Sequence, residues 1–242
     1  MLPLRDQNPR IRFPLLTLCL IAINIFIYVW YIWLNDSSEI FIKNYALHPD
    51  TIKNMIIGKT TIFNLKLYLP VITSMFLHGS WLHLLGNCWM LWIFGDNVEG
   101  VLGKLSFLIF YFLSGIVASL AHVITTHTPE IPIIGASGAV AGVMGAYLVL
   151  FPRAKIYTFV PLIFIWVIPI RAFIFLLIWF SGQLLNGWID LFTPQYQASN
   201  IAFWAHIGGF VIGVVGGILF KGRMLELYKK KVYHKYRSND NS

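Results

Sequence analysis

Six apolar stretches of membrane-crossing character dominate this chain: Pro14 to about Leu34, about Ser80 to Phe94, Lys104 to about Ile124, about Ile134 to Leu150, about Ile170 to Leu185, and about Ile201 to Phe220. A helix needs about 20 mostly apolar residues to cross the hydrocarbon core of a bilayer. Only helices and closed barrels can do so without leaving backbone polar groups in lipid. The expected fold is therefore all-α, a polytopic bundle of six transmembrane helices. Composition agrees, with 57% hydrophobic residues, 12% charged residues and a mean hydropathy of +0.70, where soluble domains carry about 25% charged residues. The domain plan is a short N-terminal segment (1–13), one membrane domain (14–220) and a basic tail (221–242), the tail expected to be flexible.

Between the fourth and fifth stretches, Ile156 to Pro169 contains two prolines and is followed by Arg171, so it reads as an interfacial segment and not as part of a span. Cationic residues orient the bundle. Arg5, Arg10 and Arg12 precede the first span, and Lys221, Arg223, Lys229, Lys230, Lys231, Lys235 and Arg237 follow the last. Such excess marks cytoplasmic flanks, so both termini are expected inside, in the cell membrane. Arg153, Lys155 and Arg171 fall on the same side. The net charge of +8 then reports topology and attraction to anionic membrane lipids. Nothing resembles a base-reading module, so no nucleic acid is expected as partner.

A signal peptide is the competing reading of the N-terminus. Its apolar run of about 21 residues exceeds the 7 to 15 of a signal h-region, and no small-x-small cleavage site follows. Cys19 and Cys88 lie inside spans and suggest neither a disulfide scaffold nor a CxxC site. The long first loop, Asn35 to Leu69, is rich in Ile, Leu, Phe and Tyr. It either dips into the membrane interface, with its backbone covered by protein, or lies on the surface as an amphipathic anchor.

Polar side chains at membrane depth are functional candidates by default. Ser137 stands in Gly135-Ala136-Ser137-Gly138-Ala139-Val140-Ala141-Gly142, and His206 in Ala205-His206-Ile207-Gly208-Gly209. The glycines at 209, 213 and 217 and the small face of Gly138, Ala141, Gly142 and Gly145 allow close helix approach. Such packing would bring Ser137 and His206 within hydrogen-bonding range, although helix packing alone would account for the glycines equally well. In the second span His83 and Asn87 are four residues apart and differ by about 40° around a helix. His78 lies about 140° away from His83, and no carboxylate is adjacent, so the arrangement does not suit zinc. Two donors aimed at one point suit an oxyanion. His122 and His127, near the outer end of the third span, read as solvated residues, and Asp96 and Glu99 as part of a cytoplasmic turn.

Together, the Gly-Ala-Ser-Gly, Ala-His-Ile-Gly-Gly and His-x4-His-x3-Asn elements resemble the rhomboid intramembrane serine proteases, in the family's order from His78 to Gly217. Phe94-Gly95-Asp96-Asn97-Val98-Glu99 looks like the family's turn between helices two and three. The resemblance implies that Ser137 is the nucleophile and His206 the general base, with His83 and Asn87 lining the oxyanion hole. It further implies that His78 is a structural histidine, that Gly135 belongs to the nucleophile turn, that no cofactor is used, and that the substrates are membrane-anchored proteins with an unstable transmembrane helix and a small residue at the cut.

Three positions qualify the match. The first loop lacks the family's frequent Trp-Arg pair, and Ala141 stands where several relatives carry an aromatic on the catalytic histidine. Ala136 stands where inactive relatives carry a proline, which favours a competent enzyme. With no intramembrane acid evident, a dyad is expected, Asp190 being the nearest acidic third member. The alternative is a catalytically silent rhomboid-like protein that binds transmembrane segments. A transporter is disfavoured, since paired broken helices and a buried coupling carboxylate are not evident.

Overall fold

The computed structural model describes residues 1–8, 10–33, 38–59, 67–161, 165–192 and 201–239. The expected boundaries at Leu34 and Asn35 fall outside the described residues. In chain order the elements are β1 (Leu2–Asp6), α1 (Leu15–Trp33), α2 (Ser38–Tyr45), α3 (Pro49–Ile56), α4 (Leu69–Thr73), α5 (Trp81–Leu102), α6 (Lys104–Thr125), α7 (Ser137–Leu150), β2 (Lys155–Pro161), β3 (Ile165–Arg171), α8 (Ala172–Phe192) and α9 (Phe203–Asn239).

Four of these helices are long and apolar enough to cross a membrane: α1, α6, α8 and the first part of α9, to Met224. The protein is thus a multi-pass helical membrane protein. Helix α5 is as long as α6, at 22 residues, but carries His83, Asn87, Asp96, Asn97 and Glu99 along its length. Helix α7 has 14 residues, about 21 Å at 1.5 Å each, which is less than the roughly 30 Å of a hydrocarbon core. Yet α7 is the most enclosed helix, with Gly138 through Tyr147 all buried. The two elements that carry Ser137 and the His83/Asn87 pair are thus the ones whose length or polarity suits them least to lipid.

Glycines set the spacing of α7 and α9. A Cβ on Gly209 would overlap the carbonyl of Gly138, one on Gly213 the carbonyl of Gly142, and one on Gly145 the carbonyl of Phe210. Backbone therefore meets backbone, as the small faces predict. Tyr111, Phe94, Phe107, Met144 and Tyr147 fill the surrounding core.

The segment after α7, read from sequence as interfacial, forms two antiparallel strands. β2 pairs with β3 antiparallel, Lys155 opposite Arg171 and Tyr157 opposite Pro169, and β1 joins the other edge of β2, Leu2 opposite Phe159. Pro169 is tolerated because β3 is an edge strand. The helical bundle thus carries a small three-stranded sheet that hydropathy did not reveal. Trp89 Nε1 donates to the Pro3 carbonyl at 2.6 Å, tying β1 to α5.

One expectation is corrected. Asp96 and Glu99 do not form a turn: α5 continues through both, and the chain reverses at Gly103, whose φ is +79°. The polar run stays helical because it is satisfied by partners. The Glu99 carboxylate accepts from the backbone N–H of Leu16 (3.0 Å) and Thr17 (2.8 Å) and from Thr17 Oγ1 (2.8 Å), capping α1. Asp96 accepts from Arg10 Nε at 3.1 Å and Asn97 Nδ2 at 2.8 Å. In the tail the backbone of α9 continues to Asn239.

Within the first loop, α2, α3 and α4 form a folded cap, residues 60–66 lying outside the described residues. Leu47 bridges Ile133, and Lys53 Nζ donates to the Thr126 carbonyl at 2.8 Å. The cap therefore grips the connection between α6 and α7. At the other end of α7, Tyr147 Oη and Asn97 Nδ2 both donate to Asp6 Oδ2, at 2.7 and 2.8 Å. Burial, opposed in part by the Tyr147 hydrogen bond, pushes the Asp6 carboxyl up to about 6.

Candidate active site

The approach to α7 is a turn that requires glycine. Gly135 has φ +119°, and a Cβ there would lie 2.6 Å from His83 Nε2 and 3.7 Å from Asn87 Nδ2. Its N–H donates to the Ser74 carbonyl at 2.9 Å. This conformation and this closeness exclude other residues, so the two α5 side chains lie against the backbone just before Ser137. Ala136 precedes the helix and offers no side-chain cap, which leaves the first-turn amides of α7 without one.

Ser137 Oγ lies 2.8 Å from His206 Nε2. The contact spans 69 residues of sequence and depends on the glycine approach of α7 to α9. On the far side of the imidazole, Nδ1 lies 2.7 Å from Gln183 Oε1 on α8. The Trp179 ring, also on α8, sits 6.0 Å from the imidazole and tilted by 36°.

His83 and Asn87 are placed by the start of α5. Ser80 caps that helix by accepting from the His83 N–H at 3.2 Å. Asn87 is 8% exposed, and its Nδ2 has no hydrogen-bond partner among the described residues. A buried donor without a partner is destabilising unless something else fills its place. His78 is fully buried, edge-on to His83 at 5.0 Å and to Tyr28 of α1 at 6.5 Å. It stands between α1 and the His83 ring. Beside Ser137 is a cavity of about 20 Å³ lined by Met75, Ala118, Gly135, Gly138 and Ala205.

The structure thus gathers Ser137, His206, His83, Asn87 and Gly135 at one place, with His78 one layer behind. Asp190, the nearest acidic residue by sequence, lies within electrostatic reach of His122. His127 is exposed, whereas His122 has its Nδ1 buried. Gln183 and Trp179 were missed from sequence. The available signal was an amide inside an apolar stretch, the same reasoning that singles out Ser137.

A multi-pass helical membrane protein that holds a serine and a histidine together across a glycine-lined helix pair is the class these observations define. The chain belongs to the rhomboid family: the rhomboid domain is matched over residues 66–223. Rhomboid protein 1, mitochondrial, of Saccharomyces cerevisiae is 31% identical over 156 residues, 62% of this chain and 41% of that protein. Presenilin-associated rhomboid-like protein A, mitochondrial, of Danio rerio is 30% identical over 154 residues, 60% of this chain and 36% of that protein. A Bacillus subtilis relative named as a candidate rhomboid protease, YdcA, is 37% identical over 78 residues, 32% of this chain and 39% of that protein. The matches to this chain span about two fifths of each of these relatives. The expected cell-membrane location finds no support in the first two names, which are mitochondrial.

Proposed function

We propose that this chain is an intramembrane serine endopeptidase that cleaves transmembrane segments of membrane-anchored proteins through an acyl-enzyme. The observation that carries the reading is the 2.8 Å contact of Ser137 Oγ with His206 Nε2 at the uncapped start of α7, near an Asn87 donor that has no partner among the described residues. His206 takes the serine proton as Oγ attacks the peptide carbonyl. The resulting oxyanion is met by the Ser137 N–H, at the positive end of α7, and by the side chains of His83 and Asn87. His206 then protonates the leaving amine, and water hydrolyses the ester. The close quarters beside Ser137 suit a small residue at the cut.

In this reading α5 and α7 complete a six-helix crossing, and the bundle places both basic ends on the cytoplasmic side, near anionic lipid. α7 is short because its first residue must meet substrate below the membrane surface. The test is incubation of the purified protein with a membrane-anchored reporter, comparing wild type with Ser137→Ala and His206→Ala. Cleavage by wild type alone, with fluorophosphonate labelling of Ser137, is expected. Absence of both cleavage and labelling across a range of reporters would overturn the reading and leave a rhomboid-like protein that only binds such segments.

A further inference from the structure

Helix α8 brings two side chains to His206 that no motif in the sequence points to. Trp179 and Gln183 are four residues apart, about 40° around the helix, so one face of α8 carries both. The Gln183 carbonyl oxygen is 2.7 Å from Nδ1, and Ser137 Oγ is 2.8 Å from Nε2. Both ring nitrogens are therefore engaged from opposite sides, while Trp179 stands beside the ring. On α7, one turn past Ser137, the buried Ala141 contributes only a methyl. Among the described residues, His83 and His122 act electrostatically on His206.

We propose that Gln183 is the positioning residue of the Ser137–His206 pair, with Trp179 as the wall against which the imidazole is held. The proposal rests on the peptidase reading and deepens it. A carbonyl oxygen can only accept a hydrogen bond, so Nδ1 carries the ring proton and Nε2 presents its lone pair to Ser137. That is the tautomer a general base needs. When His206 becomes cationic during attack, Nδ1–H remains bonded to an oxygen dipole already in place. An amide does this without introducing a charge into an apolar helix, where an unpaired carboxylate would be costly to desolvate. The histidine is thereby oriented from a third helix, and the aromatic absent at position 141 is supplied across the bundle.

The experiment uses the full chain in lipid nanodiscs with the membrane-anchored reporter, and follows Gln183→Leu, Gln183→Glu and Trp179→Phe. Gln183→Leu is expected to lower kcat by about tenfold to a hundredfold while KM changes less than about twofold. The effect is smaller than the roughly 10⁴-fold loss seen when a charged orienting residue is neutralised. Gln183→Glu restores an acceptor and stabilises the imidazolium, so activity returns and the acid limb of the kcat–pH profile moves to higher pH. A merely structural glutamine would leave that midpoint where it is in wild type. Selective ¹⁵N-histidine NMR, with His206 assigned from His206→Ala, should show one Nδ1–H tautomer in wild type and a mixture in Gln183→Leu. An unchanged tautomer, or kcat within twofold of wild type in Gln183→Leu, would overturn the proposal even if the peptidase reading stands. If wild type neither cleaves nor labels while the tautomer still responds to Gln183→Leu, the peptidase reading fails and the hold of Gln183 on His206 remains.

Discussion

At Gly135 one backbone angle holds the candidate site together. Its φ of +119° turns the chain into α7, and its missing side chain lets the His83 ring approach to 2.6 Å of where a Cβ would stand. Gly135→Ala therefore has two penalties, left-handed strain of about 1–3 kcal/mol and displacement of His83. Reporter cleavage is expected to fall below detection, with a lowered thermal midpoint measured on the same sample. Asn87 separates chemistry from stability more cleanly. Its buried Nδ2 has no partner among the described residues, so Asn87→Ala removes a donor without breaking a bond of the resting state. The expected result is a kcat lowered by about 10²–10³-fold, the scale of losing one oxyanion donor. KM and the thermal midpoint should change little. Ser137, His206, His83 and Asn87 were legible from sequence because their types and order form a recognisable set. Gln183 was not, since a lone amide in an apolar run has no motif around it.

Among the elements, α7 and α9 are bound by backbone proximity. Gly213 has no room for even a methyl, because the Gly142 carbonyl occupies the place of its Cβ. Moving two helices apart to admit a side chain exposes the core on either side and separates Ser137 from His206. Gly213→Ala is expected to cost on the order of 2 kcal/mol, within the overpacking range of about 1–3, and to abolish fluorophosphonate labelling before unfolding. Gly222→Ala on the same helix, with nothing within 4 Å of its Cβ position, should leave both unchanged. Comparing labelling and thermal unfolding in the two variants checks this. Helix faces were legible from glycine spacing. The extent of α5 was not, because Asp96 and Glu99 look like turn residues until Arg10 and the start of α1 are seen to satisfy them.

Across the whole molecule the N-terminal strand is a clasp on the end of α7 remote from Ser137. Asp6 binds Tyr147 and Asn97, and burial raises its carboxyl from 3.8 to about 6. The folded protein then holds this proton more tightly than the unfolded chain. Its contribution to stability is full below about 4 and is lost as pH rises through about 6. Thermal midpoints measured between pH 4.5 and 7.5 should show this downward component in wild type, and Asp6→Asn should flatten it and raise the midpoint near pH 7. The strand's partner segment, Ile156 to Pro169, has the prolines and apolar residues of an interface, and the antiparallel strands there depend on pairing that a one-dimensional pattern does not encode. By itself the sequence determined that this is a helical membrane protein, where four of its spans run, which faces are small and which polar residues are the candidates for chemistry. Those properties follow from the local cost of putting charge and bare backbone into lipid. The tertiary structure alone decided that Gln183 and Trp179 lie beside His206, that α5 runs unbroken through its charges, and that a sheet closes the far end. Each of these is a contact between distant segments, set by which partner satisfies a buried polar group.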